Sequence, residues 1–133
     1  MAEQPTPEVA AGLAKAKAHT ARSHLFLCLG PECAPLEEGA QVWDHLKRRT
    51  SELSELGLEV MRTKAQCLRV CADGPWLVVY PDGIWYSGVT VERCERILRE
   101  HIQEGRPVLE WIAVQNPLKP GISHCAPPPN LQP

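Results

Sequence analysis

The 133-residue sequence lacks a long hydrophobic run, and no apolar stretch approaches the roughly 20 residues of a membrane-spanning helix. Its first residues also lack the basic start and uninterrupted apolar stretch of a secretion signal. Positive charge is not in excess, because 14 Lys and Arg residues stand against 16 Asp and Glu residues and leave a net charge of -2. We therefore expect a cytoplasmic protein that binds neither membrane nor nucleic acid.

Catalytic signatures are also missing. The sequence shows no Ser-His-Asp arrangement, no phosphate-binding glycine loop and no dinucleotide fingerprint, so we expect no enzymatic activity. What the chain does have is six cysteines. Because cytosolic thiols are normally kept reduced, six cysteines without an export signal indicate metal or redox chemistry rather than structural disulfides.

The two ends of the chain differ in composition from its middle. Residues 1–22 are rich in alanine and polar residues, and Thr6, Pro7 and Glu8 have the order of a helix cap, first-turn proline and acidic first turn. We expect a peripheral helix there. Residues 113–133 are rich in proline, which blocks both helices and sheet ladders, so we expect an extended tail.

The middle segment, residues 23–112, has the pattern of a mixed α/β domain. Apolar runs predict four strands, at residues 24–28, 58–62, 76–80 and 84–86. Helical spacing predicts two main helices, at residues 36–56 and 90–104, each ended by a glycine. A Pro-Asp-Gly turn separates the last two strands and predicts an antiparallel hairpin. This order of elements is typical of a thioredoxin-like fold with a mixed four-stranded sheet.

Four of the six cysteines form two close pairs. Cys28 and Cys33 are spaced C-x4-C after the first strand, and Cys67 and Cys71 are spaced C-x3-C before the hairpin. If the first and third strands are neighbours, both connections emerge at one end of the domain and the four thiolates can converge. Two pairs from separate loops fit a [2Fe-2S] cluster, which needs two ligands for each iron.

Such a cluster carries negative charge, so hydrogen-bond donors should surround it. We expect these donors to be backbone N–H groups of residues 29–30 and 72–74, together with the N-terminus of the first long helix. Gly30 and Gly74 would allow the backbone to approach the sulfides closely.

Three other interpretations of the cysteines remain open. Tetrahedral zinc also accepts four cysteine ligands, although usually within treble-clef or ribbon folds. A thiol-disulfide oxidoreductase would need Cys-x-x-Cys at a helix N-terminus, and neither pair has two intervening residues. Four unrelated buried cysteines would be unusual in loops beside glycine and proline.

The remaining two cysteines are not expected to be ligands. Cys94 lies on the predicted apolar face of the last helix, where a free cysteine packs as a small hydrophobic residue. Cys125 follows His124 in the proline-rich tail, and we interpret it as an adventitious thiol rather than a metal ligand.

The second cysteine motif closely resembles a known family. Cys-x3-Cys, followed by Ala-Asp-Gly-Pro-Trp-Leu-Val-Val-Tyr-Pro-Asp-Gly-Ile-Trp-Tyr over residues 67–86, is similar to the thioredoxin-like [2Fe-2S] ferredoxins. His-Leu-Phe-Leu-Cys-Leu-Gly-Pro-Glu-Cys over residues 24–33 resembles their N-terminal cluster segment, although some members separate this first pair more widely. The C-x4-C spacing is similar to that of the related subunit of respiratory complex I. The resemblance covers about residues 24–112.

The resemblance implies a one-electron carrier with a single [2Fe-2S] cluster on Cys28, Cys33, Cys67 and Cys71. It also implies redox partner proteins, of unknown identity, and a homodimer. Two alternatives belong to other classes. The chain could be an iron-sulfur redox subunit or accessory protein of a larger oxidoreductase, attached through its tail, or a zinc-binding module that keeps the thioredoxin-like fold.

Overall fold

The secondary structure follows the predicted order with one added strand. The computed structural model describes residues 4–119. Its helices are α1 (Pro7–Lys15), α2 (Leu36–Glu55) and α3 (Val91–Ile97), and α3 continues as a π-helix over Leu98–Gln103. Its strands are β1 (Ser23–Cys28), β2 (Val60–Ala65), β3 (Leu77–Tyr80), β4 (Ile84–Tyr86) and β5 (Ile112–Gln115), and a 3-10 turn spans Leu109–Trp111.

The helix ends form where the sequence provides caps. Thr6 accepts a hydrogen bond from the Val9 N–H at the start of α1, and Thr90 accepts one from the Arg93 N–H at the start of α3. Gly57 and Gly105 follow the two long helical segments with φ values of 85° and 73°, a conformation that glycine adopts without strain. None of these described helices is long and apolar enough to cross a membrane.

The five strands form one mixed sheet in the order β2-β1-β3-β4-β5. β1 is parallel to β2, with α2 as the crossover between them, and antiparallel to β3. The antiparallel pairing places the end of β1 beside the start of β3, because Leu27 is opposite Leu77. The loop after β1 and the loop before β3 therefore lie at the same end of the sheet, as predicted.

Two strand predictions need correction. The sheet has a fifth strand in addition to the four predicted, because β5 pairs antiparallel with β4. This strand crosses the predicted boundary between the domain and the tail, at residues 112/113. Three of its four residues are exposed, so no alternation of apolar and polar residues marks it in the sequence. β2 begins two residues later than predicted and ends three residues later, because Thr63 and Lys64 are exposed on an edge strand and break the apolar run.

The core lies between one face of the sheet and the helices α2 and α3. Its largest fully buried members are the following: Tyr86, Leu25, Leu27, Leu46, Leu53, Leu77, Ile84, Ile97, Leu98, Val42 and Val60. α1 contributes no buried residue, in agreement with a peripheral helix. Residues of β1 alternate between the two faces, so Phe26 points away from this core and remains partly exposed.

A buried polar chain ties the π-helix to the β-hairpin. The Tyr86 hydroxyl accepts a hydrogen bond from the Val108 N–H at 3.1 Å and lies 2.8 Å from Nδ1 of His101. The Nε2 atom of His101 donates to the Asp82 carboxylate at 2.6 Å. Burial raises the pKa of Tyr86, so the hydroxyl stays protonated and remains a hydrogen-bond donor. This chain fixes the last helical segment against the sheet.

Gly39 sets the distance between α2 and the end of β1. A Cβ atom at this position would lie 2.5 Å from the Leu29 carbonyl oxygen and 2.9 Å from the Leu29 Cα.

Both are backbone atoms, so Gly39→Ala forces α2 away from the strand, and we expect the free energy of unfolding to fall by about 1–3 kcal/mol in chemical denaturation. Gly12→Ala is the matched control, because no atom lies within 4 Å of its added methyl group in α1.

Helix propensity alone makes alanine more favourable than glycine by up to about 1 kcal/mol, so the control variant should be neutral or more stable. Equal stability of Gly39→Ala and the unaltered chain would contradict the close approach of α2 to Leu29.

Candidate metal centre

Cys28 is the last residue of β1 and is fully buried. Its backbone N–H donates to the Trp76 carbonyl at 3.1 Å, and the Trp76 N–H donates to Cys28 Sγ at 3.1 Å. The sheet register therefore holds both the backbone and the sulfur of this residue at the start of β3. A hydrogen bond from a backbone N–H favours the thiolate form of a buried sulfur. The Trp76 N–H therefore stabilises the thiolate of Cys28, a candidate metal ligand.

Cys33 lies against Cys28 across a tight turn. The two Sγ atoms are 2.7 Å apart, and both residues are buried. The turn depends on Gly30, whose φ is 88° and whose added Cβ would lie 2.1 Å from the Ala34 carbonyl oxygen. No other residue fits this turn without moving the backbone.

Cys67 and Cys71 lie in the exposed loop between β2 and β3. The loop folds back on itself at Arg69, whose φ is 71° and whose backbone N–H donates to Cys67 Sγ at 3.1 Å. A non-glycine residue at positive φ stores strain, and such residues are concentrated in ligand-binding segments. The second pair therefore also has a backbone donor, supplied from within its own loop.

Gly74 joins the two cysteine segments. Its N–H donates to the Cys33 carbonyl at 2.9 Å, and an added Cβ would lie 2.8 Å from both the Cβ and the carbonyl oxygen of Cys33. Only glycine allows this contact, which brings the exposed loop against the buried pair. This contact places the loop that carries Cys67 and Cys71 against the Cys33 segment, which the predicted convergence of the two pairs requires.

Neighbouring groups shift the pKa of two of the four thiols. Burial raises the pKa of Cys28, and the neighbouring Cys33 raises it further, whereas the N–H of Trp76 lowers it. Loss of hydration raises the pKa of Cys71, with further contributions from Cys67, Glu32 and Cys33. Both shifts disfavour the thiolate in the absence of a cation, and a metal bound at these sulfurs would supply that positive charge.

The donor set fits an iron-sulfur cluster in chemistry and layout. Two thiols stand together at the strand end and two in the facing loop, which is the two-plus-two pattern that a [2Fe-2S] cluster takes. Among residues 4–119, no three His, Cys, Asp or Glu side chains form a group that could hold one metal ion.

The predicted hydrogen-bond donors were partly wrong. The N–H of Leu29 donates to the Ala65 carbonyl and that of Gly74 to the Cys33 carbonyl, so neither is free to face the thiols. The donors to sulfur are the N–H groups of Trp76 and Arg69. Sequence patterns could not reveal them, because the first depends on strand register and the second on a positive φ.

Cys94 is in the core, as predicted. It is fully buried on α3, and burial raises its pKa to about 12. It packs there as a small hydrophobic residue. Cys125 and His124 lie outside the described residues.

Several curated proteins are similar in sequence, although no protein-family model matches the chain. A putative 2Fe-2S ferredoxin of Priestia megaterium is 30% identical over 103 residues, which cover 77% of this chain and 78% of the relative. A 2Fe-2S ferredoxin of Aquifex aeolicus is 28% identical over 106 residues and is covered to 95% of its length. A 2Fe-2S ferredoxin of Clostridium pasteurianum is 43% identical over 54 residues, which span 41% of this chain and 53% of that protein.

Solved structures show the same fold. A thioredoxin-like [2Fe-2S] ferredoxin from Aquifex aeolicus superimposes with a TM-score of 0.65 at 26% identity, covering 76% of this chain and 97% of the other. The wild-type protein solved at 1.5 Å gives a TM-score of 0.62 over 71% of this chain. The fold is therefore thioredoxin-like, as predicted. The chain belongs to the 2Fe-2S ferredoxin family, which confirms the family resemblance of its cysteine motifs.

The thiols should differ in their rate of alkylation. We expect iodoacetamide to label Cys67 and Cys71 rapidly in the reduced, chelator-treated protein, and Cys28, Cys33 and Cys94 at least about tenfold more slowly, because only the first two are exposed. Peptide mapping by mass spectrometry would follow each site separately. Labelling in denaturant is the control, since all sites then become equivalent, and rapid labelling of Cys94 in the native protein would contradict its burial.

Proposed function

We propose that the protein is a one-electron carrier that binds a single [2Fe-2S] cluster through Cys28, Cys33, Cys67 and Cys71. One observation carries this proposal: in a chain of the 2Fe-2S ferredoxin family, a buried thiol pair has sulfurs 2.7 Å apart, and Gly74 holds the Cys33 segment against the loop that carries the second, exposed pair. The bound cluster supplies the one-electron chemistry, and the protein supplies its ligands, hydrogen bonds and surface.

The two thiol pairs have different environments. Cys28 and Cys33 hold the inner side of the cluster in an apolar setting beside Ala34 and Trp76, while Cys67 and Cys71 hold the outer side in an exposed loop. Electrons therefore enter and leave at the outer side. The N–H groups of Trp76 and Arg69 favour the added negative charge of the reduced cluster and raise its reduction potential.

A carrier of this kind acts on redox partner proteins rather than on a small substrate, so we propose that it has no enzymatic activity of its own. Its five described cysteines form no disulfide, which supports a reducing compartment. We therefore propose that the protein is cytoplasmic. The cluster domain covers residues 23–115, because β5 completes the sheet. α1 buries no residue and forms a separate N-terminal extension.

We also propose a homodimer that forms through the sheet face pointing away from α2 and α3. Phe26, Tyr80 and Trp85 are partly exposed there, and together with Val78 and Leu68 they line a shallow apolar groove. Aromatic residues on an open sheet face supply the apolar area that a stable interface needs. The groove is close to the cluster, because Leu68 and Trp85 also pack against the Cys28 and Cys33 region.

Substitution of single cysteines tests the ligand set. We expect Cys28→Ser, Cys33→Ser, Cys67→Ser and Cys71→Ser each to lose most of the cluster, because each removes one of four thiolate ligands. Cys94→Ala and Cys125→Ser are the matched controls and should retain it. Absorption and electron paramagnetic resonance spectra, with iron, sulfide and zinc contents of anaerobically purified protein, provide the measurement.

A colourless protein with stoichiometric zinc would refute the cluster. Loss of the cluster in Cys94→Ala to the same extent as in Cys28→Ser would refute the ligand choice, provided that the variant unfolds at the same denaturant concentration as the unaltered chain.

The dimer is tested with Trp85→Glu, which introduces a charge into the proposed interface. We expect the variant to sediment as a monomer, since an unpaired buried charge weakens an interface by several kcal/mol. Leu109→Glu is the control, because Leu109 is 79% exposed outside the groove. Equal molecular masses for Trp85→Glu and the unaltered protein, measured by analytical ultracentrifugation over a concentration series, would contradict this interface.

A further inference from the structure

A positively charged surface lies along the outer edge of β2, at the side of the sheet away from β5. It consists of Lys15, Lys17, Trp43, Arg62 and Lys64, and we call it the basic edge patch. The first four of these residues line a cavity of about 300 Å³ between the end of α1 and β2. The Arg62 guanidinium carbon and the Lys64 Nζ atom lie 5.5 Å and 5.7 Å from the centre of the Trp43 ring.

The charges of this patch are not neutralised by neighbouring carboxylates. Within residues 4–119, Lys15, Arg62 and Lys64 form no ion pair, and Lys17 reaches only Glu59, at 3.8 Å. Some other basic residues are paired, since Arg49 and Arg96 each contact two carboxylates and Arg48 contacts one. Arg93 and Arg99 also form no ion pair among the described residues, but neither lines this cavity. The patch therefore brings four basic side chains together in a chain whose net charge is -2.

Arg62 has few hydrogen-bond acceptors. Its Nη1 atom donates to Thr50 Oγ1 at 3.2 Å, while its buried Nε atom has no partner among the described residues. A buried guanidinium N–H without an acceptor costs free energy, and most such groups in native proteins find a partner. The patch is therefore rich in donors and cations and poor in acceptors, which makes a carboxylate the complementary ligand.

The patch leads directly to the exposed cysteines. Lys64 precedes Cys67 by three residues, a separation of about 10 Å in an extended chain. Arg69, within the cysteine loop, adds a further exposed positive charge. A standard interface covers about 800 Å² on each partner, roughly 30 Å across, so one docked protein would cover both the patch and the outer thiols.

We propose that the basic edge patch is the docking surface for an acidic segment of a redox partner protein. The partner's redox role rests on the proposed function, while the preference for carboxylates rests on the patch alone. A polypeptide fits better than a nucleic acid, because β2 is an edge strand whose outer backbone groups can pair with an extended chain while its cations bind the carboxylates. Opposite charges also steer the partner toward the cluster side before contact.

Binding of a synthetic hexaglutamate peptide tests the surface. At about 20 mM salt, where screening extends over roughly 20 Å, we expect binding by the cluster-loaded full chain in isothermal titration calorimetry, and weakening as salt is added. The double variant Lys15→Glu/Lys64→Glu should bind at least about tenfold more weakly. Arg99→Glu/Lys119→Glu makes the same charge change at exposed residues outside the patch and should bind as the unaltered protein does.

Electron transfer tests whether docking is productive. Hexaglutamate carrying a ferrocenium group accepts one electron from the reduced cluster and becomes ferrocene, with no proton transferred. We expect this oxidation, followed by stopped-flow absorption, to slow at least about tenfold in Lys15→Glu/Lys64→Glu and to be unchanged in the control variant. Untagged hexaglutamate should inhibit it by competition.

The two proposals fail in different ways. If no variant holds a cluster, electron transfer is absent throughout, yet loss of hexaglutamate binding in Lys15→Glu/Lys64→Glu would still support the surface. If the cluster is intact and both double variants bind hexaglutamate equally, the docking surface is refuted alone. Tighter binding of a six-residue oligothymidylate than of hexaglutamate at the same salt would also overturn the proposal, since it would indicate a nucleic-acid surface.

Discussion

The antiparallel pairing of β1 with β3 is the constraint on which the metal centre depends. This pairing places Cys28 beside Trp76, whose carbonyl accepts from the Cys28 N–H and whose own N–H donates to Cys28 Sγ, so that both the strand end and the sulfur are held. It also makes the loop after β1 and the loop before β3 neighbours, so that Gly74 can contact Cys33. Without this register, the two cysteine pairs would be separate sequence motifs with no common site.

Much of this arrangement could be predicted because local signals agree with the fold. Capping threonines and terminal glycines mark the helices, and the Pro-Asp-Gly turn marks the hairpin, because each of these residues acts on its own short stretch of backbone. The predicted pairing of the first and third strands is confirmed, and it places the two loops that carry the cysteine pairs at one end of the sheet. Cys94 was assigned correctly from helical spacing alone.

The features that were missed depend on contacts between distant residues. β5 is an exposed edge strand held by its partner β4, so its own sequence carries little pattern. The change from α-helix to π-helix at Leu98 accompanies the contact of His101 with Tyr86 and Asp82, which lie on the hairpin. The cations around Trp43 come from the end of α1, the segment that follows it and β2, and no single segment has enough of them to indicate a basic surface.

The unequal burial of the two cysteine pairs also bears on how a cluster held by them would be built. Cys28 and Cys33 are buried in the folded domain, whereas Cys67 and Cys71 are exposed. Iron and sulfide from solvent would therefore reach the outer pair directly, and would reach the inner pair only through movement of the surrounding chain. Oxidants in solvent would likewise reach the outer pair first, so the lifetime of such a centre would depend on the exposed loop rather than on the core.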